Sequence, residues 1–192
     1  MGACGYSMTQ SIKLYFKYLF WQARVLFMQG GSQLSRVFLI GMSSQRMNYT
    51  ALHFKLSTPF YSTHLCDMWA YEVPARTKPA DVRSRSSRSV DVIIVYNFHT
   101  LLTQTRLHVF TLQASSQRSL AELFPAANWL EREVRELHGT EFTHKKDVRN
   151  LLLQYGDTSA PFRKSYPAIG LRELYYDPAY DGVLQQDLTV QI

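Results

Sequence analysis

The amino-acid sequence predicts an α+β fold in which helices pack on a mixed β-sheet and an extended C-terminal tail follows. Residues 90–98 form a β-branched and aromatic run that is typical of an interior strand. Residues 126–138 place apolar side chains at helical spacing. Beyond residue 160, prolines and glycines interrupt any regular period. A chain of 192 residues with 46% hydrophobic content is long enough to form a core.

Residues before position 74 give the weaker strand signals. The apolar residues 37–40 fit either a strand or a helical turn, and residues 50–56 alternate only in part. Residues 65–73 alternate well enough to predict a strand, which would carry on one face Cys66, Met68 and Ala70.

The strongest strand signals form a hairpin. Residues 105–112 alternate between apolar and polar side chains, and they predict the antiparallel partner of residues 90–98. Residues 101–104 would form the turn between them. Before this hairpin, the proline- and arginine-rich residues 74–89 predict a loop.

The helix predicted at residues 126–138 has an apolar side, and Gly139 stands where a glycine commonly ends a helix. The expected buried positions are Trp129, Leu130, Val134 and Leu137. Two pairs of opposite charge stand four residues apart on this helix. Glu131 precedes Arg135, and Arg132 precedes Glu136. A salt-linked, exposed side explains these charges better than general acid–base catalysis does.

The N-terminal third carries the net charge. Residues 1–66 contain no Asp or Glu, so the formal charge of +6 lies there, while residues 67–192 are neutral. Residues 11–29 predict a helix with a narrow basic stripe formed by Lys13, Lys17 and Arg24. This helix would pack against the chain or a partner, lie on a membrane surface, or act as an organelle-targeting segment. Its charges interrupt the apolar run that a membrane-spanning helix needs.

These patterns divide the chain into three predicted regions. Residues 1–49 form a basic extension with an amphipathic helix, residues 50–158 an α+β core domain, and residues 159–192 an extended partner-binding tail.

The sequence shows no motif for catalytic, nucleotide or metal chemistry. Gly30 and Gly31 lack the context of a phosphate-binding loop. Cys4 and Cys66 cannot supply the roughly four thiolates of an iron–sulfur cluster. A pI of 9.4 and the arginine–serine run near residue 85 leave a nucleic-acid-associated protein as one alternative. A free-standing oxidoreductase is the other, and the missing nucleotide motif disfavours it.

Three segments occur together in the order and spacing of one known family. They are FPAANWLEREVRELHG (124–139), DVRNLLLQYG (147–156) and PFRKSYPAIG (161–170). Together they resemble the thirty-kilodalton subunit family of respiratory complex I, which includes mitochondrial NADH dehydrogenase subunit 9 and the bacterial C-type subunit. The positions that match the family motifs are Glu131, Arg132, Glu133, Gly139, Asp147, Arg149, Pro161, Arg163, Lys164 and Pro167. The chain departs from the family pattern at Glu136, His138, Ala160 and Ser165.

The resemblance implies a non-catalytic core subunit in the peripheral arm of NADH:ubiquinone oxidoreductase. It implies contacts with the quinone-binding subunit (the forty-nine-kilodalton subunit) and with iron–sulfur subunits. It also implies that FMN and the iron–sulfur clusters belong to neighbouring subunits and that this chain binds no cofactor. The expected location is the matrix face of the mitochondrial inner membrane, with the cytoplasmic face of a bacterial membrane as the alternative.

The same resemblance gives three basic residues a role at the interface. We expect Arg163 and Lys164, which lie on a proline-stiffened segment, to reach carboxylates of a partner. We expect Arg149 to act as a bidentate donor within or beside that contact.

Overall fold

The computed structural model describes residues 27–30, 37–57, 62–73, 91–101, 104–112 and 116–188. Its main feature is a five-stranded sheet in the order β1-β2-β5-β4-β3. The strands are β1 (Phe27–Gly30), β2 (Val37–Ser43), β3 (Thr63–Val73), β4 (Asp91–Thr100) and β5 (Thr105–Leu112). β2 and β5 run parallel, and the other neighbours are antiparallel. The predicted α+β fold with a mixed sheet is therefore confirmed.

The hairpin of β4 and β5 confirms the strongest strand prediction. β4 lies between β3 and β5, as its β-branched and aromatic content predicts for an interior strand. β5 spans the predicted residues 105–112. Gln104 has a φ of 48° just before β5, so the chain enters that strand through a left-handed residue.

The partial alternation at residues 50–56 is misleading, because these residues belong to a helix. Helix α1 (Met47–Leu56) follows a short 3-10 turn at Ser44–Arg46. The side chains that α1 buries stand at positions i, i+3, i+4 and i+7, and they are Met47, Thr50, Ala51 and Phe54. Phe54 packs edge-on against Phe98 of β4, with the ring centroids 5.4 Å apart.

Helix α2 (Ala127–His138) confirms the predicted helix to within one residue. Gly139 closes it in the left-handed conformation with a φ of 67°, as predicted. α2 packs against β3 on the same face of the sheet as α1, and the core lies between this face and the two helices.

The predicted face of β3 is wrong at Cys66. The register of β3 on β4 shifts between Leu65 and Asp67, which places a β-bulge at Cys66. The bulge reverses the alternation, so Leu65, Met68 and Ala70 are buried while Cys66 is exposed.

The start of the sheet corrects two expectations about the N-terminal third. Residues 27–29, the end of the predicted helix, belong to strand β1, and the rest of that helix lies outside the described residues. Residues 37–43 form strand β2, so the sheet begins upstream of the predicted domain boundary at residue 50. The division of the chain into three regions otherwise stays a prediction. The predicted loop at residues 74–89 also lies outside the described residues.

The C-terminal part is largely irregular, with two small sheets. Strand β6 (Gln117–Arg118) precedes α2 in the sequence and strand β7 (Phe142–Thr143) follows it. The two strands pair in parallel. The tail, predicted to lack a strand period, ends in a hairpin of β8 (Arg172–Asp177) and β9 (Gly182–Asp187). No helix in the described part of the chain is long and apolar enough to cross a membrane.

Candidate subunit interface

Helix α2 buries charged side chains and exposes its largest apolar one, so the predicted buried side is only partly right. Val134 is buried and Leu130 packs against the core, as expected. Glu131 is 0% exposed, and Arg132 and Glu136 are also buried. Trp129, expected in the core, is 61% exposed. The buried charges contact residues that lie well outside the helix in the sequence, so the predicted pairing four residues apart does not describe their main partners.

Glu131 forms a buried ion pair with Lys145, and both side chains are fully inaccessible to solvent. One carboxylate oxygen accepts hydrogen bonds from the Ser119 hydroxyl at 2.6 Å and from Lys145 Nζ at 3.0 Å. The other oxygen accepts the backbone N–H of Leu120 at 2.6 Å. Lys145 Nζ also donates to the backbone oxygen and to Oδ1 of Asn128, both at 3.0 Å. The donors and acceptors of both ions are therefore used inside the protein, as buried charges require.

The side chain of Tyr96 in β4 lies near this ion pair and is uncharged. Burial raises the pKa of Tyr96 well above its ordinary value, and the negative charge of Glu131 adds to the effect. The phenol therefore stays protonated, and Lys145 is the residue that balances the charge of Glu131.

Glu136 holds the backbone of the segment that follows β7. Its carboxylate accepts three successive N–H groups, from Leu151 at 2.9 Å, Leu152 at 2.8 Å and Leu153 at 3.2 Å. Three charge-assisted hydrogen bonds to consecutive amides fix the local direction of the chain.

Two arginines of α2 bind carbonyl oxygens of the same segment. Arg132 donates to the oxygens of Arg149 at 2.8 Å and Asn150 at 3.1 Å, and Arg135 donates to that of Val148 at 2.5 Å. Together with Glu136, these side chains attach residues 148–153 to α2 through backbone atoms alone. Because the contacts use the backbone, the side chains of the segment can point outward.

Asp147 and Arg149 pair with each other at the start of this segment. Arg149 donates Nε to Oδ1 at 3.0 Å and Nη2 to Oδ2 at 2.9 Å, which is a bidentate arrangement. These hydrogen bonds hold the pKa of Asp147 far below its usual range and raise that of Arg149. Arg149 is thus a bidentate donor, as expected, but its acceptor lies in its own chain.

Arg163 ties the start of the tail to the end of α2. Its Nε donates to the backbone oxygen of His138 at 2.9 Å and its Nη2 to that of Gly139 at 3.1 Å. A Cβ at position 139 would lie 2.5 Å from Nη2 of Arg163, so the missing side chain of Gly139 makes room for this contact. The guanidinium therefore caps the helix C-terminus, where the dipole favours a cation.

The residues around Arg163 continue this attachment. The N–H of Phe162 donates to the oxygen of Leu137 at 2.9 Å, and its ring meets His138 edge-on. The N–H of Lys164 donates to Glu72 of β3. Burial lowers the pKa of His138, against the attraction of Glu72 and together with the repulsion of Arg163.

The remaining motif positions are spread along this region. Glu133 and Pro161 are half-buried, while Pro167 and the side chain of Lys164 are exposed. The motif residue Arg132 contacts Asp147 and the backbone oxygen of Arg149, and Arg163 contacts Gly139 at the C-terminal end of α2. Glu131 contacts Lys145, which is not a motif residue. Sequence reasoning missed Lys145, since a lone lysine between two motifs carries no signal of burial. It treated Glu136 as a helical partner of Arg132 and as a departure from the family pattern, and not as the residue that binds residues 151–153.

Large apolar side chains are exposed both on the segments that these contacts hold and on the β8–β9 hairpin that follows them. We call this the apolar C-terminal surface, and its most exposed members include Leu152, Tyr155, Phe162, Leu174 and Tyr180. Tyr155 and Leu174 also line a groove of about 520 Å³ between residues 154–159 and the β8–β9 hairpin. Extended apolar surface of this kind commonly marks a protein–protein contact.

The described residues contain no group of three or more His, Cys, Asp or Glu side chains arranged to hold a metal ion. Hydrogen bonds to this chain's own backbone or to each other use the side chains of Glu131, Arg132, Arg135, Glu136, Lys145, Arg149 and Arg163. The arrangement can therefore hold and orient a surface.

Known proteins are similar to this chain in sequence or in fold. The chain matches the family described as the 30 kDa subunit of respiratory-chain NADH dehydrogenase over residues 41–171, which is more than half of its length. The C-type subunit of NADH-quinone oxidoreductase from Chelativorans sp. is 38% identical over 86 residues, or 45% of this chain and 43% of that one. NADH-ubiquinone oxidoreductase subunit 9 of Paramecium primaurelia is 36% identical over 86 residues, or 45% of this chain and 41% of that one. The C-type subunit from Ruegeria pomeroyi is 32% identical over 128 residues, or 66% and 58%.

Among solved structures, a chain of the membrane-bound sulfane sulfur reductase, an archaeal respiratory membrane complex, has a similar fold. Its TM-score is 0.55 at 14% identity, covering 83% of this chain and 87% of that chain, so the likeness concerns the fold alone. The chain spans about half the length of the curated relatives it matches. The family match over residues 41–171 includes the α2 contacts described above, and on that basis the chain belongs to the 30 kDa subunit family of respiratory-chain NADH dehydrogenase.

Proposed function

We propose that this chain is a non-catalytic subunit in the peripheral arm of NADH:ubiquinone oxidoreductase, where its C-terminal half docks the quinone-binding subunit. The observation that carries the proposal is that charged and apolar side chains around α2 have different positions. Charged side chains of the helix bind the backbone of residues 148–153, and Arg163 binds the end of the helix, while large apolar side chains of the same region face outward. A surface fixed in advance loses little conformational entropy when a partner binds.

The identity of the partner comes from the family. Relatives carry names that describe them as the C-type subunit of NADH-quinone oxidoreductase and as NADH-ubiquinone oxidoreductase subunit 9. By the family resemblance, the partners are the quinone-binding subunit and the iron–sulfur subunits beside it. FMN and the iron–sulfur clusters would belong to those neighbours, and electrons would pass through them. The proposed location is the matrix face of the mitochondrial inner membrane.

The structure changes the roles we assign to the basic residues of the tail. Arg163 and Arg149 already bind acceptors of this chain, so they shape the surface from within. The ammonium group of Lys164 is exposed and lies on the same segment. We therefore assign the contact with a partner carboxylate to Lys164.

The test substitutes an exposed leucine of the apolar C-terminal surface. Leu152→Asp places a charge where a partner would exclude water, so we expect less of the chain in the assembled complex and lower NADH:ubiquinone activity in membranes. Leu56→Asp is the matched control, because Leu56 is 71% exposed against 62% for Leu152 but lies at the end of α1. Native-gel mass spectrometry measures the assembly that contains each variant.

Two outcomes would contradict the proposal. One is equal incorporation of the Leu152→Asp and Leu56→Asp chains. The other is migration of the unsubstituted chain with ribosomes or RNA instead of with membrane NADH dehydrogenase activity, which would favour the nucleic-acid alternative.

A further inference from the structure

The hairpin of β8 and β9 exposes large apolar side chains on both of its faces. Residues that pair directly across two strands point to the same side, and successive residues point to opposite sides. Tyr176 pairs with Val183, and these side chains are 58% and 68% exposed on one face. Tyr175 pairs with Leu184, and these are 42% and 37% exposed on the other face. A hairpin that lies on a single surface needs apolar side chains on one face only.

The face that carries Tyr176 borders the groove of about 520 Å³ described above. Leu174, two residues before Tyr176 and on the same side of β8, lines this groove together with Tyr155. Both Leu174 and Tyr155 are exposed. A groove of this size, bounded by exposed apolar side chains, has room for side chains of a second protein.

The hairpin is acidic, although the chain as a whole is basic. Residues 171–188 contain four acidic side chains and one basic one, so their formal charge is −3, against +6 for the chain. Two of the acids, Asp177 and Asp181, flank the turn, and Asp181 accepts the hydroxyl of Tyr176 at 2.6 Å. Nucleic acid, an anionic membrane and a second copy of the hairpin would all repel these charges. A protein partner with basic side chains would attract them.

The hairpin also lies beyond the part of the chain that matches the family. The match ends at residue 171, and β8 begins at Arg172. The family match therefore assigns no role to the hairpin.

We propose that the β8–β9 hairpin inserts into a cleft of the quinone-binding subunit, which has apolar walls and basic side chains at the end that receives the turn. This inference rests on the proposed function, which supplies the partner. One wall of the cleft fills the groove and covers the face of Tyr176, and the other wall covers the face of Tyr175. The basic side chains of the cleft pair with Asp177 and Asp181.

Tyr175 and Tyr176 form a matched pair for the test, because they are neighbours that point to opposite faces. Cys4→Ser with Cys66→Ser removes the two native cysteines, and Tyr175→Cys or Tyr176→Cys then adds one thiol to the full chain. Maleimide alkylation is measured for the free chain and for the chain in the assembled complex. We expect both thiols to react at least about tenfold more slowly in the complex, because an enclosed thiol reacts only when the interface opens.

Leu101→Cys in the same background gives the rate of an exposed thiol outside the hairpin. Leu101 is exposed and lies between β4 and β5, so its alkylation should be equally fast in the free and the assembled chain. Protection of only one of the two hairpin thiols would mean that the hairpin lies on its partner by one face, which overturns insertion. Protection of neither overturns the contact itself.

Cross-linking identifies the protein that covers the hairpin. The photo-cross-linker p-benzoylphenylalanine in place of Tyr176 should join the quinone-binding subunit in the assembled complex. A cross-link to a different subunit overturns the choice of partner. Protection of both thiols in the purified chain alone, increasing with its concentration, assigns the hairpin to a second copy and also overturns the proposal.

Asp177→Asn with Asp181→Asn tests the basic part of the cleft. Asparagine keeps a side-chain oxygen at each position, including the acceptor for the hydroxyl of Tyr176. We expect the complex that contains this variant to release the chain at a lower salt concentration than the complex with the unsubstituted chain does. Glu122→Gln with Glu141→Gln removes the same charge from exposed positions outside the hairpin and should have no such effect. Equal release of the two variants overturns the predicted basic side chains.

The outcomes also separate this proposal from the proposed function. If Leu152→Asp lowers incorporation of the chain while the thiols of Tyr175→Cys and Tyr176→Cys stay reactive in the complex, the hairpin proposal fails and the proposed function stands. If the chain is absent from NADH:ubiquinone oxidoreductase, both fail.

Discussion

Among the individual residues, Glu131 and Lys145 depart furthest from what their side-chain types suggest. Both are fully buried, although an isolated charge in a protein interior is strongly unfavourable. The pair is stable here because Ser119, Leu120 and Asn128 supply the remaining hydrogen bonds. Removing either ion would leave the other one uncompensated.

We therefore expect Lys145→Met to lower the free energy of unfolding by about 3–5 kcal/mol, the usual cost of breaking a buried ion pair. Urea unfolding of the chain measures this difference. Replacing both residues together, as Glu131→Leu with Lys145→Met, should cost less than Lys145→Met alone, because no unpaired charge is left.

Lys146→Met is the control for this prediction. Lys146 lies 3.9 Å from Glu122, and both side chains are largely exposed. An exposed ion pair contributes about 0–1 kcal/mol, so this variant should unfold close to the unsubstituted chain. Equal effects of Lys145→Met and Lys146→Met would show that the Glu131 pair is not buried in solution.

At the scale of secondary-structure elements, α2 positions the segments that follow it. Glu131 in its N-terminal half binds Lys145, the side chains of Arg132 and Glu136 bind residues 148–153, and its last carbonyl group binds Arg163. An irregular segment has no strand or helix ladder to satisfy its backbone, so side chains from the helix supply these hydrogen bonds. The order of residues 148–153 therefore depends on α2.

Glu136→Gln tests this dependence. An amide oxygen accepts fewer and weaker hydrogen bonds than a carboxylate, so the three N–H groups of residues 151–153 lose charge-assisted partners. A loss of about 1.5–3 kcal/mol corresponds to roughly 10- to 100-fold faster amide exchange at these residues. Hydrogen-exchange mass spectrometry measures it.

Glu133→Gln provides the comparison on the same helix, because Glu133 is half-buried and its substitution removes the same charge. Exchange at residues 151–153 should stay near that of the unsubstituted chain in this variant. If both variants accelerate exchange equally, net charge and not the Glu136 contact controls the segment.

At the scale of the whole molecule, the sheet and its helices form a base from which the C-terminal half extends. The tail is joined to this base through Arg163 at the end of α2 and through the N–H of Lys164 at Glu72 of β3. The β8–β9 hairpin beyond it exposes most of its side chains. A two-stranded hairpin is marginally stable in water, so contact with a partner would stabilise this one.

The two basic residues of the tail should therefore differ in their effects. Arg163→Ala removes two charged hydrogen bonds at the end of α2, and we expect a loss of stability of about 1–3 kcal/mol in urea unfolding. Lys164→Ala removes an exposed side chain, so stability should change by less than about 0.5 kcal/mol. Native-gel mass spectrometry should nevertheless show less complex assembled with Lys164→Ala. Normal assembly of this variant would contradict the assignment of Lys164 to a partner contact.

Several elements could be predicted because their signals are local. The β-branched run of β4, the alternation of β5 and the terminal glycine of α2 act within a few residues of the chain. Helix α1 could also have been predicted from the sequence, because its buried residues from Met47 to Phe54 stand at helical spacing. The short alternation inside it produced a misleading strand signal.

The amino-acid sequence alone was enough to specify the α+β fold, the hairpin of β4 and β5, the limits of α2 and the resemblance to one family. Tertiary packing determined which side of α2 is buried, where β3 reverses its alternation, and that Arg149 and Arg163 bind acceptors of their own chain. Burial of a charge depends on partners brought close by folding. Glu131 and Lys145 are 14 residues apart, beyond the reach of any helical or strand period.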